Sequence, residues 1–510
     1  MFSAQTRRDF VANTVKVGAL AGLGDFAFLQ NLAPVAAAEA KVAHAKVQLC
    51  PDIEPLVRLI EDTDRDDLLD VVAGRIRRGT SYQQLLAALF LAGVRSIQPR
   101  PVGFKFHAVL VVNSAHLASL AAPDSDRWLP LFWALDNFKK SQADNERQGN
   151  WVMAPVEEAK LPSGAHAEKR FMEAMDNWDE EGADRAVVSL VRNAGADQIL
   201  EILWRYGARD FRDIGHKAIY VANSWRTLQT IGWRHAEPVL RSLAYALLEH
   251  EGENPARRDA EPDRPWRENL ERAGRIRGDW KQGTVTPQAT TELLKTLRTA
   301  SASEACDHVV ELLNRGVSPA SLWDALFLKA GELIMEQPGI VGIHCVTSVN
   351  ALHQGYQTIA NDETRRLLLL QAPAFLTLFR KAMLGRGKLR EEMHIDTLQK
   401  AEVKAGPEAI AEILADISKD RVLAARKTLA LLENPAVRPE MLLTAARRLI
   451  FSKGNDSHDY KFSSAALEDY YHATGPWRAR YLATSMFNLK GSGDRDTGLV
   501  DRARAALGKA

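Results

Sequence analysis

The chain has 510 residues, of which 46% are hydrophobic, and its 66 Lys and Arg nearly balance its 65 Asp and Glu. This length exceeds the usual size of one compact domain, and a net charge of +1 lacks the basic excess of a nucleic-acid binder. Three cysteines, Cys50, Cys306 and Cys345, are too few and too scattered for a disulfide framework. We therefore expect neither a nucleic-acid binder nor a disulfide-stapled protein.

Residues 1–40 resemble a twin-arginine signal peptide. Thr6-Arg7-Arg8-Asp9-Phe10-Val11 places two arginines before a hydrophobic pair, and a modestly apolar stretch follows over residues 15–29. Small-residue cleavage sites end the segment at Ala38 and Ala40. The resemblance implies recognition by the Tat export machinery and a periplasmic or otherwise exported protein, carried folded and often with its cofactor. We predict no membrane span in the mature chain, because no apolar stretch reaches about 18 residues.

Two stretches 237 residues apart carry the same rare residues at the same offsets. In each stretch the glycine precedes the first histidine by 28 residues, and the second histidine follows 9 residues later. Helices repeat leucine readily, but packing alone rarely requires imidazole at fixed spacing. The matching residues are Gly79, His107, Asn113 and His116 in the first stretch, and Gly316, His344, Asn350 and His353 in the second.

Two weaker copies extend this pattern. One places His216 and Asn223 at the positions of His107 and Asn113, and the other places His472 at the position of His116, with serine at the first-histidine position. We interpret the chain as about four degenerate units that begin near residues 72, 188, 309 and 430. The charged, proline-rich segment 251–266 divides them into two predicted helical halves, with units 1 and 2 in 41–255 and units 3 and 4 in 266–510. One continuous four-unit ring or solenoid is the alternative.

Helical spacing of apolar residues predicts an all-α fold, a helical repeat protein. Strand-like alternation is scarce, and the run at 109–112 is interpreted as part of a buried helix. Ser318-Pro319 and Arg438-Pro439 predict helix starts, with Ser318 as the cap and proline in the first turn.

The repeated histidines are the candidate metal ligands, because imidazole is the commonest protein ligand of metals at neutral pH. Units packed about a common axis would bring equivalent positions together, so the first and second histidines of each unit form two separate sets. Nine residues turn a regular helix through about 900°, which puts the two sets on opposite faces. The predicted sets are His107, His216 and His344, and His116, His353 and His472. The alternative is that each is a buried histidine bonded locally.

A polar loop near the C-terminus concentrates groups that can bind ligands or transfer protons. It runs from Lys453 to Phe462, and we predict catalytic roles for His458, Asp459 and Tyr460. A solvated turn is the alternative interpretation.

The order Gly342-Ile343-His344-Cys345-Val346-Thr347 in a helical chain resembles the questin oxidase-like family. That resemblance implies oxidative chemistry on a small molecule, since the family resembles oxygenases that act on aromatic polyketides with reduced nicotinamide. Imidazole-rich centres suit copper, zinc, non-haem iron or haem. We therefore predict an exported metal- or haem-dependent oxidoreductase with a small-molecule substrate, and an exported, non-catalytic helical-repeat scaffold is the alternative.

Overall fold

Helices account for every regular element in residues 46–508, the part of the chain that this computed structural model describes. The all-α prediction is confirmed, and the nearest approach to a sheet among these residues is an isolated bridge between Thr284 and Val317. The predicted signal peptide lies outside the described residues. The α-helices are α1 (Glu54–Asp62), α2 (Arg65–Arg77), α3 (Tyr82–Ser96), α4 (His107–Leu110), α5 (Val112–Ala121), α6 (Leu129–Arg147), α7 (Gly164–Asp176), α8 (Glu180–Asn193), α9 (Ala196–Gly207), α10 (His216–Ile231), α11 (Ala236–Leu247), α12 (Arg264–Arg275), α13 (Pro287–Thr299), α14 (Ala302–Asn314), α15 (Pro319–Glu336), α16 (Ile340–Thr358), α17 (Asp362–Leu384), α18 (Pro407–Ile417), α19 (Arg421–Leu432), α20 (Pro439–Lys453), α21 (Ser457–His472), α22 (Gly475–Ser485) and α23 (Leu499–Gly508).

The predicted helix starts are present. Ser318 accepts a hydrogen bond from the backbone N–H of Ala320, and Pro319 is the first residue of α15. Pro439 likewise begins α20. Proline suits this position because the first helical N–H has no partner within the helix. The run at 109–112 is helical as predicted, with a break at Val111 between α4 and α5.

Four helices pack in a closed ring at the centre of the described residues. Helix α5 contacts α10, α10 contacts α16, α16 contacts α21, and α21 contacts α5. In α16 every residue from Val341 to Gly355 is buried, as expected of a helix with neighbours on all sides. The ring joins helices from both sides of segment 251–266, in which two short 3₁₀ turns precede α12. The four-unit repeat and its two halves remain predictions.

The four helices of this ring run in the same direction. The histidines near the starts of four helices lie close to one another, so these helix starts are neighbours. The helices are α4, α10, α16 and α21. Farther along, the rings of His353 in α16 and His472 in α21 meet with centroids 4.7 Å apart. His116 of α5 reaches Thr230 near the end of α10. The positive ends of the helix dipoles therefore lie together at one end of the ring.

One helix has the length and composition of a membrane span, which the sequence analysis did not predict. Asp362–Leu384, helix α17, is long and apolar enough to cross a membrane by length and composition, although 72% of its most apolar window is buried inside the protein. Core helices of soluble proteins meet the same criterion. Its packing against α16 and α14 accounts for its apolar surface.

Candidate metal centre

Four histidines converge where the helices of the central ring begin. The Nε2 atom of His216 lies 2.9 Å from Nε2 of His107 and 2.8 Å from Nε2 of His344. The ring of His458 lies beside them, with its centroid 4.4 Å from that of His107 and 5.1 Å from that of His344. Each of the four rings contributes one nitrogen, and all four of these nitrogens lie within 4.8 Å of one another. Within residues 46–508 this is the one group of three or more potential ligands so close together.

Each histidine is placed by the start of a helix. His107 and His216 are the first residues of α4 and α10, and His458 is the second residue of α21. His344 is the fifth residue of α16, one turn into the helix. A side chain in a first turn points back toward the N-terminal end of its helix. Four converging helix starts therefore aim four imidazoles at one point.

The second nitrogen of each ring is held by an acceptor. Nδ1 of His107 lies 2.9 Å from the carbonyl oxygen of Phe104, Nδ1 of His216 lies 2.5 Å from that of Asp213, and Nδ1 of His344 lies 2.6 Å from that of Ile340. Nδ1 of His458 is hydrogen-bonded to the carboxylate of Asp456. Because carbonyl and carboxylate oxygens only accept, Nδ1 carries the hydrogen in all four rings. This arrangement is the one that metal-ligating histidines show in proteins.

Four Nε2 lone pairs therefore face one another. A neutral ring with its hydrogen on Nδ1 has no hydrogen on Nε2. In each of the two contacts of His216, with His107 and with His344, both Nε2 atoms are therefore acceptors. Nε2 of His458 is buried with no hydrogen-bond partner among the described residues. Opposed lone pairs at these distances repel unless a cation lies between them. Four close histidines of this kind could hold a metal ion.

Burial disfavours a proton in that place. Removal from water lowers the pKa of His107, His216 and His344 well below the usual range, and neighbouring positive charge lowers it further. The pKa of His458 is also lowered by burial, although its hydrogen bond to Asp456 opposes the effect. Burial favours the uncharged form of imidazole. The four rings are therefore neutral near pH 7, which is the state that binds metals.

The backbone before His216 adopts an unusual conformation. Asp213, Ile214 and Gly215 have φ values of 53°, 48° and 79°, in the left-handed region that L-residues seldom occupy. This turn directs the carbonyl oxygen of Asp213 at the His216 ring. Such strain, of order 1–3 kcal/mol for a non-glycine residue such as Asp213 or Ile214, persists at functional sites where the surrounding structure enforces it.

A buried ion pair anchors the same turn. The Lys217 ammonium donates to the Asp210 carboxylate at 2.9 Å, and both side chains are fully buried. Arg212 in turn pairs with Asp263. Loss of one partner of a buried pair typically costs about 3–5 kcal/mol, so these contacts hold the turn in place.

Backbone also covers the centre. A Cβ atom at Gly103 would lie 3.3 Å from Cε1 of His216 and 3.7 Å from Cε1 of His107. Glycine therefore lets residues 101–104 pass directly over the two rings. His216 and His344 are buried, whereas His107 and His458 are half-buried. The side of the centre between His107 and His458 is the one nearest to solvent.

The positive charge of Lys461 acts on every histidine of this centre. Its ammonium lowers the pKa of all four histidines. The side chain is 3% exposed, and Nζ has no hydrogen-bond partner within residues 46–508. Burial lowers the pKa of Lys461 to about 7. Lys461 lies within the polar stretch 453–462, but the sequence gives no reason to single it out, because burial cannot be read from that stretch.

Asp459 and Tyr460, the other predicted catalytic residues, have different surroundings from His458. Asp459 closes the capping box of α21 and contacts Lys490 at 3.0 Å. Tyr460 stacks on Trp133 with ring centroids 4.2 Å apart, and its hydroxyl is buried with no hydrogen-bond partner among the described residues. Of the three, His458 is the one that the structure brings to the histidine cluster.

The second predicted set of histidines does not gather at one point. His353 and His472 meet with ring centroids 4.7 Å apart. His116 instead contacts the Tyr82 hydroxyl at 3.2 Å and lies near Thr230. His344 and His353 share α16 and occupy different surroundings, as the nine-residue spacing predicts. These three histidines lie outside the group of four.

The alignment of the repeat units identified three of the four clustered histidines as candidate metal ligands, but not the fourth. His107, His216 and His344 form the predicted first set, whereas His458 was assigned to a catalytic loop because the fourth unit carries serine in that register. Asp456 two residues earlier was the available signal, since a carboxylate beside histidine commonly orients a metal ligand. Comparison of the chain with models of known families, with characterised proteins and with solved structures finds no match.

Proposed function

We propose that the protein is a metal-dependent oxidoreductase whose metal ion is held by His107, His216, His344 and His458. The observation that carries this proposal is the meeting of four Nε2 lone pairs, each opposite an Nδ1 bound to an acceptor. A purely structural histidine needs one good partner, and these rings have theirs on Nδ1. Binding would widen the Nε2 contacts of His216 to about 3.3 Å, as tetrahedral ligation at about 2.0–2.1 Å requires.

A single ion suits this arrangement better than haem. Haem takes one or two axial ligands on opposite faces of a flat macrocycle. Here four rings surround one point, and the centroids of the other three rings lie 4.3–6.3 Å from that of His344. We therefore propose copper or non-haem iron, which bind imidazole and change oxidation state.

Export as a folded protein is part of the same proposal. A route that carries folded proteins allows a metal to be inserted before export, which suits a centre assembled from four distant segments. Replacement of both Arg7 and Arg8 by lysine is expected to leave the precursor inside the cell. Export that continues unchanged and stops only when the general secretion pathway is blocked would contradict this part.

A structural zinc site in an exported scaffold is the second candidate. The supporting observation is that four protein ligands complete a tetrahedral site, as in structural zinc proteins. The half-buried side between His107 and His458 favours the catalytic proposal instead, because a reacting molecule needs access. Metal identity separates the two, since zinc has no redox chemistry.

Two variants on one helix test the metal proposal. His344→Ala removes a ligand from the cluster, and His353→Ala removes a buried histidine nine residues later on α16. We expect about one metal ion per chain by elemental analysis in the wild-type protein and in His353→Ala, and a loss of most metal in His344→Ala. Circular dichroism checks that both variants keep their helices.

Metal-free wild-type protein, purified from its native compartment and still unable to take up copper, iron or zinc, would rule the proposal out. A bound copper or iron ion that an external reductant reduces and air reoxidises, followed by absorption and electron paramagnetic resonance, would support the oxidoreductase. Stoichiometric zinc alone would favour the scaffold.

A further inference from the structure

Lys461 is a buried lysine on α21, the helix that carries His458 of the cluster. Lys461 follows His458 by three residues on α21, so the two side chains share a face of that helix. Its charge acts on all four histidines, and its Nζ has no hydrogen-bond partner in residues 46–508. A buried ammonium without a partner is costly. The described residues therefore supply no hydrogen-bond partner for this buried amine.

Other buried lysines in the described residues do have carboxylate partners. Lys217 contacts Asp210 at 2.9 Å, and Lys329 contacts both Glu332 and Glu336 at 2.9 Å. Lys427 and Lys453 also pair with acidic side chains. The protein thus pairs its buried lysines, and Lys461 is the exception.

The ends of three long helices add positive potential at the same place. Helices α10, α16 and α21 begin at the cluster and have 16, 19 and 16 residues. Each contributes the equivalent of about half a positive charge at its N-terminal end. Neutral imidazoles do not offset this charge, and a bound metal ion would increase it. Of the nearby carboxylates, Asp456 is engaged by His458.

We infer that the centre binds a small monoanion between its metal ion and the Lys461 amine, so that the substrate class of the enzyme is a small anion. This inference rests on the proposed metal site and names what that site accepts. His107 and His458 are half-buried, so the side between them is where we expect such an anion to enter. The ring centroids lie only 4.3–5.1 Å apart, and this close packing limits the ligand to a small one.

Azide titration of cobalt-loaded protein tests the inference. The full mature chain is loaded with Co(II), and azide binding is followed by the change in the visible spectrum of the metal. We expect azide to bind the wild type and to bind Lys461→Met about ten- to a hundredfold more weakly, because a hydrogen bond to a charged group contributes about 1.5–3 kcal/mol. Lys461→Arg, which keeps the positive charge, is expected to retain most of the affinity.

Arg447→Met is the matched control. Arg447 is a partly buried cation of α20, where it lines a cavity of about 200 Å³ with Tyr460 and Ser463 of α21. Its removal is expected to leave the azide affinity unchanged. Lys461→Gln provides a second neutral variant if Lys461→Met fails to fold, as judged by circular dichroism.

The possible failures are distinguishable. Protein that takes up no Co(II) contradicts the proposed metal site. Protein that takes up Co(II) but shows no spectral response to azide, or binds azide equally well in Lys461→Met or Lys461→Gln, overturns the inference and leaves the metal site standing.

Discussion

Gly215 shows how one residue sets the position of a candidate metal ligand, His216. It precedes His216 with φ of 79°, and a Cβ atom there would lie 2.1 Å from Oγ of Ser348 on α16. No side chain fits, so helix α10 can begin close against α16 only with glycine at this position. The approach of the two helices then brings the rings of His216 and His344 together, with centroids 4.3 Å apart.

Gly215→Ala should therefore weaken metal binding as well as stability. The added methyl must move α10 away from α16, which separates His216 from His344. We expect a loss of at least about tenfold in metal affinity and a destabilisation of about 1–3 kcal/mol. Isothermal titration calorimetry and urea unfolding measure the two effects.

Gly232→Ala separates steric contact from backbone strain. Gly232 also has positive φ, 102°, but a Cβ there meets nothing within 4 Å. This variant should lose stability and keep wild-type metal affinity. Equal loss of metal affinity in both variants would show that the contact with Ser348 does not position His216.

The lowered pKa values of the four histidines predict a pH dependence of stability. In the unfolded chain each histidine takes up a proton below about pH 6.5, whereas in the metal-free folded protein burial keeps the rings neutral. The unfolded state then binds more protons, so stability must fall as the pH falls through 6.5, by up to about 1.4 kcal/mol per pH unit for each such ring.

Urea unfolding of metal-free protein between pH 7.5 and 5.5 measures this slope. His344→Asn should show a smaller slope than the wild type, because one fewer ring titrates differently in the two states. A variant with the wild-type slope would mean that His344 is protonated equally in the folded and unfolded chain.

At the scale of the element, one residue, Asp456, both caps the start of helix α21 and orients the His458 ring. The Asp456 carboxylate accepts hydrogen bonds from the His458 backbone N–H and from its ring. The contact with His458 lowers the pKa of Asp456 to about 2. The helix cap and the orientation of His458, the proposed metal ligand, therefore depend on the same side chain.

Asp456→Asn should uncouple the two roles. Asparagine is as good a helix cap as aspartate, but it lacks the negative charge that increases the basicity of His458. Metal affinity is expected to drop by about 10–100-fold with little change in helicity. Asp420→Asn, at the cap of α19 away from the cluster, is the control and should keep full affinity. The prediction fails if both variants bind metal as tightly as the wild type.

The sequence predicted the helices well, but it predicted less well which histidines of the repeat units align with one another. Apolar spacing, the cap at Ser318 and the first-turn proline Pro439 predict helices correctly, because these signals are local. Paired histidines at equal offsets identify His107 and His344, and weaker alignment adds His216. His458 escapes that alignment because its ring reaches the cluster from the second residue of its own helix, beside Asp456, and only packing reveals this.

At the scale of the whole molecule, the centre joins segments that lie far apart in the chain. His107 and His458 come from opposite ends of the described residues, and the closed ring of α5, α10, α16 and α21 brings them together. Sequence could suggest that equivalent positions meet, but it could not choose which set meets. The ring settles this geometrically, because its helices converge at their starts, where the four histidines are, and not at His116, His353 and His472.

The measurement that tests the central claim most directly is X-ray absorption spectroscopy of the metal-loaded protein. The account predicts one metal ion with a first shell of four imidazole nitrogens at about 2.0–2.1 Å, together with the multiple-scattering features of histidine rings. One fewer imidazole should be found in His458→Ala. A first shell dominated by oxygen or sulfur, or one that is unchanged in His458→Ala, would contradict the account.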